Sequence, residues 1–180
     1  ISYRIELADV HAHQFRVTLT VPRPAAELSL SLPVWIPGSY LVREFARHLS
    51  ALSARQDGCE LPLRQLDKAS WLARCSGRGA LTLSYLVYAF DPSVRTAFLD
   101  AGRGFFNGSS VFLRVHGRED EVHALAIGAL PAGWDIATAM PAGPRRGSYR
   151  VPDYHALVDH PVELGRFWRG SFTACGVMHE

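Results

Sequence analysis

Hydrophobic and polar residues alternate with a period of two along much of this chain. Phe15, Val17, Leu19 and Val21 are interleaved with Gln14, Arg16, Thr18 and Thr20. Side chains along a strand point alternately to opposite faces, so this pattern predicts a half-buried strand. Leu28, Leu30 and Leu32 alternate with serines in the same way. Leu81, Leu83, Tyr85 and Val87 recur at every second position until Asp91-Pro92 closes the run. Residues 49–55 form another candidate strand, ended by the hairpin signal Asp57-Gly58. Residues 111–115, 124–127 and 167–173 read as three more.

Helical periodicity is scarce. Residues 153–158 predict one or two turns, with Asp153 as N-cap and Pro161 beyond the end. Residues 94–99 predict a second short turn. Many short strands separated by Gly and Pro imply a mainly β fold. The expected form is an antiparallel β-sandwich, or a saddle of sheets, with one or two short helical turns. Residues 1–165 read as one β-rich domain. Residues 166–180 read as a strand and a turn leading out of it. The segment 141–147 is the loosest and is expected to be a mobile loop.

The run from Leu32 to Arg47 breaks the alternation. Pro37 fixes its own φ and pushes Ile36 towards an extended conformation. Gly38 tolerates a positive φ, so Pro37-Gly38 predicts a turn of type II character. Trp35 then either tucks into the core or stands on a loop with Ser39, Tyr40 and Arg43. Loops held by a rigid scaffold are common sites for binding groups.

The chain has 180 residues, 48% of them hydrophobic, and a formal net charge of +2. That fits one globular domain. No Lys/Arg-rich run marks a nucleic-acid track, and no apolar stretch approaches a membrane helix. No signal peptide is visible, and the start at Ile1 predicts a trimmed amino terminus. Cys59, Cys75 and Cys175 lack C-x-x-C spacing and are odd in number, which argues against structural zinc and a disulfide framework. They are expected as reduced thiols, with one incidental pair at most. Cytoplasmic localisation is slightly favoured.

The string Trp35-Ile36-Pro37-Gly38-Ser39-Tyr40, continued by Val42-Arg43 and Phe45-Ala46-Arg47, resembles the signature of the amino-terminal domain of the M61 (glycyl aminopeptidase) metallopeptidases. Asp67 to Trp71, Tyr85 to Asp91, Val94 to Asp100, Gly104 to Gly108, Pro131 to Trp134 and Asp153 to Gly165 match in the expected order. The first and last motifs are specific, and the middle ones are weak singly. Members of that family resemble one another in layout: a β-rich domain, a zinc domain with H-E-x-x-H, then a PDZ domain. This chain contains no H-E-x-x-H. Its terminal His179-Glu180 does not begin one, because the family's zinc helix lies well downstream. The resemblance implies a non-catalytic domain with no cofactor of its own, and zinc in a catalytic domain elsewhere in the same polypeptide. It implies an aminopeptidase parent that prefers glycine and small amino-terminal residues. The partners implied are that catalytic domain and a peptide substrate.

Tyr40, Arg43 and Glu163 are the candidates for one wall of the substrate cleft. Glu163 is favoured because a carboxylate would meet a free amino terminus. Phe105, Phe106 and Trp168 are candidates for the interface with the catalytic domain, since adjacent phenylalanines in a loop cannot easily both point inward. No metal site is expected. His11 and His13 share a strand face but lack a third ligand. His116 and His123 flank a charged loop, and His155 and His160 fall on different faces. Asp153, Asp159 and Glu163 are acidic neighbours that suit capping, or an ion pair with Arg43 or Arg47, better than hydrolysis. No G-x-S-x-G elbow occurs. The alternative is a stand-alone β-sandwich that binds peptide by strand addition or sugar on Trp35 or Trp134.

Overall fold

The computed structural model describes residues 1–180. In chain order the strands are β1 (Ser2–Asp9), β2 (Gln14–Val21), β3 (Glu27–Ser31), β4 (Leu49–Gln56), β5 (Cys59–Glu60), β6 (Leu63–Asp67), β7 (Ser70–Arg74) and β8 (Leu81–Tyr88). They continue with β9 (Ala97–Leu99), β10 (Arg103–Phe106), β11 (Arg114–Val115), β12 (His123–Ile127), β13 (Asp135–Ala137), β14 (Ser148–Val151), β15 (Val162–Gly165), β16 (Phe172–Ala174) and β17 (Val177–His179). One helix, α1 (Tyr154–Asp159), and two 3-10 turns at Phe45–His48 and Gly108–Ser110 complete the chain.

The fold is mainly β, as the alternation predicts. A seven-stranded sheet runs β14-β12-β1-β2-β8-β4-β5. Two four-stranded sheets run β13-β15-β10-β9 and β11-β3-β7-β6, and β16-β17 stands apart. Every pairing is antiparallel except β1 with β12. The inward set of the large sheet is the one read from period two: Phe15, Val17, Leu19 and Val21 on β2, and Leu81, Leu83, Tyr85 and Val87 on β8, all buried. One cluster of 35 buried residues joins these to Leu28, Leu30 and Trp71 of one small sheet and to Leu99, Phe106 and Leu164 of the other. The smaller sheets thus cover one face of the large one.

Turn chemistry sets the corners. Asp57 and Gly58 both have positive φ, 51° and 79°, which is the type I′ geometry that joins twisted antiparallel strands. Asp153 caps α1, its carboxylate accepting from the Ala156 N–H at 2.7 Å. Ala51, at φ 51°, marks a register shift between β4 and β8.

Four expectations are corrected. Residues 111–113 are buried but not a strand, and pairing begins at Arg114. The short turn expected over 94–99 is confined to its first residues, where the Thr96 N–H donates to Ser93 O at 3.1 Å, and β9 begins at Ala97. The strand expected from 167 begins at Phe172, because Arg169 and Gly170 lack a backbone partner strand. The 141–147 segment is tied down: the Gly143 N–H donates to Ser148 O at 2.7 Å, and the Arg150 N–H donates to Pro141 O at 3.2 Å.

Candidate functional site

The pairing of β3 with β7 extends one step, through the Leu32 N–H to Ala69 O at 2.8 Å. Pro33 has no N–H and ends it. The chain then turns at Ile36–Ser39, where the Ser39 N–H donates to Ile36 O at 3.1 Å and Gly38 has φ +79°. This is the type II turn read from Pro37-Gly38. The loop is closed by the Arg43 N–H donating to Val34 O at 2.6 Å. Ser39 is its buried hub. Its hydroxyl donates to Leu41 O at 3.0 Å and accepts from Arg43 Nε at 3.1 Å. The Trp35 indole N–H donates to Ser39 O at 2.8 Å, which holds the ring on the loop at 54% exposure rather than in the core.

Beneath this loop lies a cleft of about 760 Å³. Val34, Trp35, Val42 and Arg43 form one side. The Asp67–Ser70 turn between β6 and β7 forms another, and Ser109, Arg114 and the α1 residues Tyr154, His155 and Val158 form the remainder. Segments far apart in sequence therefore meet at one concavity. Its walls are apolar with a few charged groups, the usual character of a ligand site. Arg43 Nε donates to the Ser39 hydroxyl, while the adjacent Glu44 pairs with Lys68 at 3.5 Å.

The floor near Ser109 is held by a device the sequence reading missed. Tyr85 Oη donates to Val111 O at 2.8 Å, Tyr154 Oη to Phe112 O at 2.8 Å, and Tyr3 Oη to Leu113 O at 2.7 Å. Three successive carbonyls that no strand satisfies are thus each paired. Burial pushes all three phenols above their ordinary value, so they stay protonated and donate. A usable signal was present, since Tyr85 sits in register with inward leucines and a buried Tyr hydroxyl needs a partner. Asn107 accepts from the Ser109 N–H and so caps the turn. At Gly108 a Cβ would lie 2.8 Å from Val158 Cα and 3.0 Å from Leu157 O, so only glycine lets α1 approach.

The candidate residues separate. Arg43 lines the cleft. Tyr40 projects fully into solvent and is not among the lining residues. Glu163 lies on β15 in another sheet, where Arg103 Nε pairs with it at 3.0 Å. The ion pair foreseen with Arg43 or Arg47 is thus made with Arg103, because β10 places that arginine beside β15. Phe106 is a correction: it is wholly buried against Phe15 and Phe112, because β10 is a strand and turns Phe105 and Phe106 to opposite faces. It is unavailable to an interface. Phe105 is half-buried, and Trp168 is 89% exposed. Trp134 is buried, so no sugar can stack on it.

The histidines disperse. His13 Nδ1 meets Leu99 O at 2.6 Å and its ring stacks on Phe90. His116 bonds Ser31 Oγ, and His160 bonds Ala156 O. His123 is fully buried, with Nδ1 2.7 Å from Glu121 O and Nε2 without a partner. No three of His, Cys, Asp and Glu converge into a metal-holding group, so these residues do not fit a zinc ion. All three cysteines are free.

The Peptidase M61 N-terminal domain model matches residues 2–166. The chain belongs to this family. A crystal structure of an aminopeptidase N family protein from Idiomarina loihiensis superposes with a TM-score of 0.93 at 41% identity. The match covers 99% of this chain and 31% of that one, so the M61 domain described here spans about a third of that relative. The crystal structure of Legionella pneumophila aminopeptidase A in complex with aspartic acid shares the fold at 13% identity and a TM-score of 0.51. It covers 95% of this chain and 21% of its own. No curated protein matches. The segments that carry the M61 resemblance include those that border the cleft: the Trp35 loop, the Asp67–Ser70 turn and α1.

Proposed function

We propose that this chain is the non-catalytic amino-terminal domain of a zinc-dependent aminopeptidase that prefers glycine and small amino-terminal residues, and that it forms one wall of the substrate cleft. The observation that carries this reading is the convergence of the family's separated motifs on one apolar, charge-edged concavity. Zinc chemistry, in this reading, belongs to a catalytic domain elsewhere in the same polypeptide. Arg43, presented into the cleft by the Ser39 hydroxyl, is the favoured wall position. Tyr40, exposed outside the cleft lining, is the weaker wall candidate. Glu163 remains a candidate for the substrate ammonium, but it is already neutralised by Arg103.

Zinc content and hydrolysis of an amino-terminal glycine substrate, measured for residues 1–180 and for the full-length protein, test the reading. A zinc-loaded, active full-length protein beside an inert 1–180 chain is the expected result. A metal-free, inert full-length protein overturns it, as does chelator-sensitive activity in the 1–180 chain. Arg43→Ala in the full-length enzyme should lower kcat/KM by about tenfold or more, the scale of a lost charged hydrogen bond. Glu163→Gln should lower it less.

A further inference from the structure

The hairpin β16–β17 is built unlike any other part of the molecule. All six of its residues are exposed, with Phe172 at 64%, Val177 at 58% and Met178 at 77%. It belongs to no larger sheet. A lone two-stranded ribbon is at best marginally stable in water. Its turn is nonetheless well formed: Cys175 and Gly176 have φ of 50° and 75°, the type I′ geometry. In a hairpin with a two-residue turn, the flanking pair Ala174 and Val177 bond each other. The next pair, Thr173 and Met178, therefore turn their backbone N–H and C=O groups outward. Both edges are open to another strand.

The hairpin is also aimed. Arg169 donates to Asp135 Oδ2 at 3.0 Å and to the Ile136 carbonyl, both on β13, and to Glu180 Oε2 at 2.7 Å beyond β17. One guanidinium thus ties the end of the hairpin to an edge strand of the domain body. The Phe172 ring stacks on His179 at 5.1 Å, which stiffens the ribbon across its two strands.

More than two thirds of the Idiomarina relative has no counterpart in these 180 residues. β17 is the last element here, so polypeptide continuing beyond residue 180 emerges beside its open edge. Strands consecutive in sequence pair or neighbour in about two thirds of cases.

We propose that β16–β17 is a docking hairpin, whose open edges and apolar side chains are completed by strand addition from the polypeptide that follows residue 180, with Arg169 setting the angle of presentation. This rests on the chain being the amino-terminal part of a longer peptidase.

Amide hydrogen exchange tests it, read residue by residue in the 1–180 chain and in the full-length protein. The expected result is that Thr173 or Met178 exchanges freely in the 1–180 chain and about 100-fold or more slowly in the full-length protein. Equal exchange at both positions in the two proteins overturns the proposal. Protection that grows with the concentration of the 1–180 chain assigns the hairpin to a second copy and also overturns it. Arg169→Ala should reduce the full-length protection at these amides about tenfold while leaving Leu83 unchanged. No change at Thr173 and Met178 removes Arg169 from the proposal. Aminopeptidase activity, measured on the same full-length sample, separates the two readings. A protected hairpin in an inactive protein sinks the enzymatic reading alone, and an active protein with an unprotected hairpin sinks the docking reading alone.

Discussion

Two regions of this domain solve the same problem in opposite ways. The segment 111–113 has no strand partner, yet it sits at the centre of the core. The hairpin at 172–179 has regular pairing, yet it lies on the surface. In the first, three tyrosine hydroxyls satisfy three carbonyls, and Val111, Phe112 and Leu113 are fully buried. In the second, Phe172, Val177 and Met178 remain in water although their backbone forms a tidy hairpin. Regular secondary structure is therefore not what stabilises a segment here. Burial with every polar group paired is.

Unfolding measurements on the 1–180 chain break or sharpen this contrast. The largest effect is expected at Phe15→Ala, which empties a fully buried site packed on Phe106 and should cost about 3–5 kcal/mol in urea titrations. Tyr85→Phe comes next. It strands the Val111 carbonyl and removes an acceptor from the Leu113 N–H, for a loss of about 1–3 kcal/mol. A cost no larger than that of a surface change would show that the clamp is incidental.

His123 supplies a pH-dependent member of the same series. Burial holds its pKa below the ordinary value, so the folded state resists a proton that the unfolded chain accepts. Stability contributed by the neutral ring is present above about pH 6.5 and falls as pH drops below it. His123→Phe should flatten the fall in urea midpoint between pH 7.5 and 5.5. An unchanged slope would assign the acid sensitivity to other groups. Trp168→Ala should have the smallest effect, within about 0.5 kcal/mol, because its ring is almost wholly exposed. A large loss there would mean that the tail packs on the body in solution.

Much of the fold was legible. Alternation on β2 and β8 identified the inward face, because a half-buried sheet enforces period two. Asp57-Gly58 and Pro37-Gly38 specified their turns, because each needs a positive φ at a defined position. Asp153 announced its helix. The candidate site was legible only as an unordered set. Arg43 falls in the cleft, but Tyr40 is exposed to solvent outside its lining and Glu163 belongs to another sheet. Phe106 failed because a short strand was read as a loop, and the alternation of Phe105 and Phe106 becomes visible only once β10 pairs with β9 and β15.

The sequence by itself determined the fold class, the family and the local turns, since these depend on residue periodicity and on backbone freedom at single positions. Tertiary structure alone decided which segments meet. The cleft joins the Trp35 loop, the Asp67–Ser70 turn and α1, the tyrosine clamp unites β1, β8 and α1 on one strandless segment, and the Arg103–Glu163 pair displaces the partners that charge alone suggested. The reason is physical: long-range contacts are set by how sheet faces pack to exclude water and by where unpaired polar groups find partners. Neither is encoded in the spacing of residues along the chain.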